Sequence, residues 1–381
     1  MRNPEDELIS IMKSVGVDYV LSLPCDRIKN LLLKIPSEFV NIPLTREEEG
    51  VGISAGAALA GKRPAMIIQN SGIGNMLNAL LSLTSFYELP LAIFISHRGI
   101  YKEKIAAQKP MGNAVKGLLK ASGVGYTVVD KREDLARIKR PLEMVYEKNR
   151  IHAFLLSPRV WEVECANKWN PEDEKRNPVA SRIRTDTGRH ILAPEYTRYE
   201  ILEIISPYLD GKLVVCNIGI PSKELFSIKH QPSSFYMLGS MGMATPIGLG
   251  VALSSDRKVV VIDGDGSLLM NPGTLATAAH LAPGNLTIIV IDNGAYGSTG
   301  SQPTFTGSCV DLEIVARGFG IKNTVKVAGK KQLTDAVKRP VRGLTFIHVL
   351  ALPGNADVPN ISLHHLENKA EVQEFLNPHH T

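Results

Sequence analysis

Twice along this chain, short runs of apolar, strand-forming residues alternate with stretches of helical pattern. That repeated alternation limits the fold more than any other feature. In the first half, Tyr19 to Leu23, Ala65 to Gln69 and Leu91 to Ser96 read as strands, with another over Ala153 to Leu156. Between them, Glu49 to Ala60, rich in small residues, and Met76 to Tyr87 read as helices. In the second half the strands are Leu213 to Cys216, Lys258 to Ile262, Leu286 to Ile291 and Thr345 to Leu350. The helices there are Gly242 to Leu253 and Asn271 to His280. A strand that is apolar at every position has both faces buried. Such strands separated by helices form parallel sheets covered on both sides. The expected fold class is therefore α/β, with two doubly wound parallel-sheet domains. The halves share this architecture without an obvious likeness in sequence.

Ala166 to Pro194 is polar and charged, with three prolines, and reads as a linker. It divides the chain into a first domain over 1–165, a linker over 166–194 and a second domain over 195–381. With 44% hydrophobic and 21% charged residues, the chain has enough apolar material for two cores. A net charge of +5 without basic runs is too weak a bias for a nucleic-acid partner, though it suits a small anionic substrate. Cys25, Cys165, Cys216 and Cys309 lie far apart and form no close pair, which argues against a disulfide framework or a structural zinc. The N-terminal residues are polar, unlike a signal peptide, and no apolar run reaches the roughly 18 residues of a membrane span. These features together fit a cytoplasmic protein with no membrane partner. His364, His365, His379 and His380 near the C-terminus read as surface residues rather than metal ligands.

The most specific motif is Gly264-Asp265-Gly266-Ser267, directly after a predicted strand. The next apolar strand runs into Asp292-Asn293-Gly294-Ala295-Tyr296. A crossover helix and a strand fit between Asp265 and Asn293, so both fall at the carboxyl ends of neighbouring parallel strands, where open α/β sheets bind ligands. A diphosphate held through Mg²⁺ needs hard oxygen ligands. Asp265 offers a carboxylate, Asn293 an amide oxygen and Ala295 a backbone carbonyl. Gly264 and Gly266 let the backbone approach the phosphates. Either motif alone is an ordinary tight turn; strand context, spacing and the Asn together point to a metal–diphosphate site.

This pattern resembles the signature of the thiamine diphosphate enzymes. The stretches Asn217 to Phe226, Gly239-Ser240-Met241-Gly242 and Tyr296 to Thr304 are similar to the phosphonopyruvate and sulfopyruvate decarboxylase group. The resemblance covers most of the chain and implies a pyrimidine-binding domain followed by a diphosphate-binding one. It also implies the cofactors thiamine diphosphate and Mg²⁺, with Gly219, Ser222, Ser267 and Tyr296 among the cofactor-binding residues. By the same resemblance, the Gly239 carbonyl accepts from the 4′-amino group, the Met241 N–H meets the pyrimidine, and the Met241 side chain bends the cofactor. Glu49-Gly50 matches the Glu-Gly that opens the small-residue helix in that group, which assigns Glu49 to the pyrimidine N1′. Glu48 is the alternative if the register shifts by one. Without the resemblance, three consecutive glutamates read as a solvated helix start.

Three loops follow strands in the first half: Leu23 to Arg27, Asn70 to Asn75, and Ser96-His97-Arg98-Gly99 with the segment to Gly112. An anionic head group needs donors of this kind, so Asn70, His97, Arg98 and Gln108 are the substrate-side candidates. His97 reads equally well as a buried, hydrogen-bonded histidine. The His-His pair of pyruvate decarboxylases and a middle domain are both absent from the sequence, which favours the two-module group. The implied reaction is non-oxidative decarboxylation of 3-sulfopyruvate to sulfoacetaldehyde and CO₂, by way of an ylide and an enamine, in coenzyme M biosynthesis. The implied assembly is a homodimer or larger. Alternatives are a phosphonopyruvate decarboxylase, a carboligase with the same cofactor, and a nucleotide-binding protein. The last lacks the glycine fingerprint and downstream acid of a dinucleotide site.

Overall fold

The apolar runs form two six-stranded parallel sheets, one in each half of the chain. The structure is a computed structural model and describes residues 3–162, 192–338 and 343–378. The linker expected over 166–194 falls, up to residue 191, outside the described residues.

The first sheet contains β1 (Tyr19–Ser22), β2 (Val40–Pro43), β3 (Pro64–Gln69), β4 (Leu91–Ser96), β5 (Gly125–Val129) and β6 (Ile151–Leu156), in the order β2-β1-β3-β4-β6-β5. The second contains β7 (Leu213–Cys216), β8 (Ser234–Tyr236), β9 (Val259–Gly264) and β10 (Leu286–Asp292). After a two-stranded ribbon of β11 (Ala295–Tyr296) and β12 (Gln302–Pro303), it is completed by β13 (Asn323–Val327) and β14 (Thr345–Leu350). Its order, β13-β14-β10-β9-β7-β8, repeats the topology of the first sheet strand for strand once the ribbon is set aside. Within the two six-stranded sheets, the four strands not read from sequence are β2, β5, β8 and β13, and these are the four sheet edges; the short ribbon of β11 and β12 was not read either.

The helices are α1 (Pro4–Ser14), α2 (Lys29–Glu38), α3 (Glu47–Leu59), α4 (Gly72–Ala79), α5 (Lys109–Ala121) and α6 (Lys139–Glu147) in the first half. The second half carries α7 (Arg198–Ile205), α8 (Ile220–Ile228), α9 (Ala244–Ser254), the single turn α10 (Asp265–Leu268), α11 (Thr274–Leu281), α12 (Leu312–Gly318), α13 (Lys330–Lys338) and α14 (His365–Leu376). Each sheet has one apolar cluster of its own, around Phe94 and Phe154 in the first half and around Val260 and Ile347 in the second. A third cluster takes residues from both halves and lies between the sheets.

The small residues of α3 and α9 explain that shared layer. A Cβ on Gly56 would lie 2.1 Å from the Ile247 carbonyl, and one on Gly250 would lie 2.1 Å from the Ile53 carbonyl. The two helix backbones therefore meet where neither has a side chain. Hydrogen bonds continue the contact. The Tyr19 hydroxyl donates to the Leu253 carbonyl at 2.7 Å. The Tyr87 hydroxyl donates to the Tyr236 carbonyl at 3.2 Å and accepts from the Leu238 N–H at 3.1 Å.

Candidate active site

In this strand order the chain leaves β7 toward one side of the sheet and β9 toward the other, and ligands bind in the crevice such a switch creates. Asn217 follows β7, Asp265 follows β9 and Asn293 follows β10, so all three reach one carboxyl edge. A cavity opens there. It is lined by Met241, Gly264, Asp265, Gly266, Ser267, Asn293, Ala295 and Tyr296 from the expected set. Arg198, Asn217, Ile218, Asp263 and the loop Gly297 to Thr299 complete much of its wall.

The motif loops are tied to one another. The Ser267 hydroxyl donates to the Asn217 side-chain oxygen at 3.2 Å and accepts from the Gly242 N–H at 3.0 Å. The Ser222 hydroxyl donates to the Asn217 carbonyl at 2.7 Å, so it shapes the loop instead of lining the cavity. Gly219, at φ 84° and ψ −137°, opens α8 in a conformation suited to glycine, and a Cβ there would lie 2.7 Å from the Ser298 hydroxyl. A Cβ on Gly266 would lie 2.3 Å from the Tyr296 ring. Ser240 adopts φ 58°, unusual for a residue with a side chain, and is held by a 2.6 Å hydrogen bond to Ser82 of the first half. Gly239 packs on the same Ser82, so the segment 239–241 runs from the boundary between the halves into the cavity.

The charge balance of the cavity is uneven. Asp265 is 3% exposed and has threonine hydroxyls, but no cation, as partners among the described residues. Burial pushes its carboxyl up, and the nearby charge of Asp292 adds to the effect. Asp292 moves down: burial opposes this, but hydrogen bonds from His348 and Thr306 favour its charged form. Asp263 is also pushed up by burial, against hydrogen bonds from Thr245 and the Gly264 N–H. Among the described residues the Asn293 side-chain nitrogen is buried without a partner, and its oxygen accepts only the Ala295 N–H, at 3.2 Å. No group of three or more His, Cys, Asp or Glu stands ready for a metal among the described residues. One carboxylate, one amide oxygen and a backbone carbonyl nevertheless suit a hard cation that shares its remaining positions with phosphate oxygens and water.

Arg198 was missed by the sequence reading. Among the described residues it is the only Lys or Arg lining this cavity, and it is already paired. Its guanidinium donates to Glu224 at 2.7 and 3.1 Å and to the Asn355 side-chain oxygen at 2.8 Å. Asn355 in turn donates to the Gly297 carbonyl at 2.8 Å. No local motif marks this network, because its members come from α7, α8 and the segment after β14.

Glu49 does not line the cavity. It is 1% exposed and lies at the boundary between the halves, where its carboxylate accepts from the Thr45 hydroxyl at 2.8 Å and from Thr277 of α11 at 3.0 Å. Glu48 is partly exposed and pairs with Arg46 at 3.5 Å. Glu47 is buried and accepts from Asn75 at 2.9 Å.

Asn70, His97 and Arg98 do come together at the carboxyl edge of the first sheet. The Asn70 side chain exchanges two 3.2 Å hydrogen bonds with the Arg98 backbone. The Arg98 side chain is 6% exposed; it donates to both oxygens of Glu103 at 2.9 Å and pairs also with Asp26. Arg98 thereby holds the Glu103 carboxyl down at about 2. His97 donates from Nε2 to the Gly112 carbonyl at 2.9 Å, and burial lowers its pKa, so the neutral Nε2–H tautomer follows. Gln108 is half-buried, and its backbone carbonyl packs on Gly99.

Residues 2–119 match the family described as thiamine pyrophosphate enzyme, N-terminal TPP binding domain, and residues 218–349 match its C-terminal TPP binding domain. The sulfopyruvate decarboxylase of Methanosarcina acetivorans is 44% identical over 98% of both chains. In Methanococcus maripaludis, the beta and alpha subunits of sulfopyruvate decarboxylase are 50% and 39% identical, over 44% and 42% of this chain. A phosphonopyruvate decarboxylase of Streptomyces viridochromogenes is 33% identical over 92% of this chain and 89% of its own. Among solved structures, benzoylformate decarboxylase of Polynucleobacter necessarius superposes with a TM-score of 0.72 at 15% identity, over 93% of this chain and all of that one. That likeness concerns the fold.

Proposed function

This chain belongs to the thiamine pyrophosphate enzymes, and from that premise we propose that it decarboxylates 3-sulfopyruvate without oxidation, releasing CO₂ and sulfoacetaldehyde, as a step of coenzyme M biosynthesis. The observation that carries the substrate is the 44% identity, end to end, with a sulfopyruvate decarboxylase, against 33% for the phosphonopyruvate decarboxylase.

The residues present fit the cofactor. Among the described residues Asp265 is a buried carboxylate with no Lys or Arg partner and the Asn293 amide has an unused buried nitrogen, while Gly266 leaves no room for a side chain beneath Tyr296. Asp265, the Asn293 amide oxygen and the Ala295 carbonyl would hold Mg²⁺, and with it the diphosphate. Gly264 and Gly266 let the backbone approach. Gly219 and the N-terminus of α8 lie beside the same loop, while Ser222 and Ser267 keep it in shape. Gly239 and Met241 would meet the aminopyrimidine. Bound thiamine diphosphate supplies the electron sink for the pair freed when CO₂ departs. Glu49, carried by the first half and hydrogen-bonded to the second, would exchange a proton with the pyrimidine N1′. A proton then takes the place of the lost carboxylate.

Asn70, His97, Arg98 and Gln108 remain the substrate side of this reading, with a change of role for Arg98. Its guanidinium is taken up by Glu103 and Asp26, so it would act by holding the loop 96–103 in shape. The division into 1–165, 166–194 and 195–381 and assembly as a homo-oligomer in the cytoplasm belong to the same proposal. Relatives built from separate alpha and beta subunits support the idea of two modules that dock. No described helix is long and apolar enough to cross a membrane.

The test is reconstitution. Protein stripped of cofactor should form sulfoacetaldehyde and CO₂ in equal amounts from 3-sulfopyruvate only when thiamine diphosphate and Mg²⁺ are both returned. Undiminished turnover without them, or none with them, contradicts the proposal.

A further inference from the structure

Around Asp265 lies a second set of side chains that the chemistry above does not use. Asp265 follows β9 and Asp292 ends the neighbouring β10, and both are buried. Two buried carboxylates on adjacent strands repel each other unless each has partners. Thr306 stands between them. Its hydroxyl is 3.0 Å from Asp265 Oδ2 and 2.7 Å from Asp292 Oδ1. The Thr304 hydroxyl donates to the same Asp265 Oδ2 and lies 2.8 Å from that of Thr306.

Asp292 has further support. His348, 1% exposed, meets its Oδ2 through Nε2 at 2.8 Å, and the Gly294 N–H donates to its Oδ1 at 3.0 Å. The hydrogen bonds that reach Asp265 from Thr304 and Thr306 both fall on Oδ2, and neither falls on Oδ1. A hydroxyl has a single proton, so Thr306 serves the two carboxylates by sharing it. The same turn grips the other proposed ligands. The Thr304 N–H donates to the Gly294 carbonyl at 2.9 Å, between Asn293 and Ala295.

We propose that Thr306, itself held by Asp292, which His348 fixes in turn, is a positioning residue for the metal ligand Asp265. It engages Oδ2 and thereby turns Oδ1 toward the cation, while the backbone of its turn steadies the Asn293–Ala295 loop. The inference rests on the reading of Asp265 as a ligand. Partners behind metal ligands typically change metal affinity by about ten- to a hundredfold when removed.

The experiment titrates the intact protein with Mn²⁺ in the presence of thiamine diphosphate and follows free Mn²⁺ by electron paramagnetic resonance. Thr306→Val should raise the Mn²⁺ dissociation constant by roughly ten- to a hundredfold. Thr306→Ser, which restores the hydroxyl, should return it close to the unmodified value. Thr306→Ala, smaller than Val, serves if the Val variant does not fold. Unchanged affinity in a folded Val or Ala variant overturns the inference, as does a Ser variant as weak as Val. Asp265→Ala separates this result from the reading beneath it. If that variant alone keeps full Mn²⁺ affinity, the ligand assignment itself fails. If it loses the metal while Thr306→Val does not, only the positioning role fails.

Discussion

At the carboxyl edge of the second sheet, Asp265 has hydroxyls beside it but no cation; at the same edge of the first sheet, Arg98 has two carboxylates. The strand order is identical. In the second half the switch between β7 and β9 opens into a cavity with unbalanced negative charge and an unpaired amide nitrogen. In the first half, Asn70 binds the Arg98 backbone, and Glu103 and Asp26 take up its side chain. Topology thus provides the same location twice, and the pairing of charges decides which copy suits an ionic ligand. The first half instead presents Glu49 at the face it shares with the second.

The largest effect should come from removing the unbalanced charge. Asp265→Ala should abolish retention of thiamine diphosphate at ordinary Mg²⁺ concentrations and leave no measurable decarboxylation; equilibrium dialysis of the cofactor checks it. Cofactor retained at full occupancy would make the two edges equivalent. Next is the carboxylate at the boundary. Glu49→Gln should still bind cofactor but slow hydrogen–deuterium exchange at C2 of the thiazolium by roughly a hundred- to ten thousandfold, the range of a lost general acid–base. If Glu48→Gln shows that defect and Glu49→Gln does not, the register is wrong by one.

The inner strands of both sheets were legible in the sequence, and the edge strands were not. β4, β7 and β14 were placed residue for residue, because strands with neighbours on both sides are mostly apolar. β5 and β13 include polar residues and are half-buried over most of their length, and β8 has only three residues, so none produces a continuous apolar run. The site divides in the same way. Asp265 and Asn293 stand in short motifs directly after strands and are legible locally. The pairing of Arg198 with Glu224 and Asn355 joins distant segments and leaves no local trace. Glu103 lies between Lys102 and Lys104, and only the fold shows that it neutralises Arg98.

The sealed edge can be tested through stability. Arg98→Ala removes the two guanidinium hydrogen bonds to Glu103 but leaves that carboxylate two backbone N–H donors and Arg27 at 3.9 Å; it should cost about 2–3 kcal/mol, below the full value of a broken buried pair because those partners remain. Urea denaturation checks it. A specific loss of substrate affinity at unchanged stability would restore Arg98 as a direct anion donor. The pH dependence has a definite sign. Glu103 titrates at about 2 in the folded protein against 4.5 ordinarily, so its contribution is complete above about pH 4.5 and is lost as pH falls toward 2. Arg98→Ala should shrink that component of the acid transition, since Arg98 is the largest of the groups that hold the carboxyl down.

A smaller effect is expected at the open edge. Asn355→Ala removes one hydrogen bond to the Gly297 carbonyl and one from Arg198, which should weaken thiamine diphosphate binding by roughly five- to thirtyfold, at about 1 kcal/mol for each bond that bears on the cofactor. Calorimetric titration of the cofactor measures this, and unchanged affinity would detach the network from the cavity.

The most direct test is kcat/KM for 3-sulfopyruvate, phosphonopyruvate and pyruvate, measured side by side on the reconstituted protein. The account predicts that 3-sulfopyruvate is used best, with sulfoacetaldehyde and CO₂ as products. A higher kcat/KM for phosphonopyruvate, or no decarboxylation of 3-sulfopyruvate at all, would contradict it.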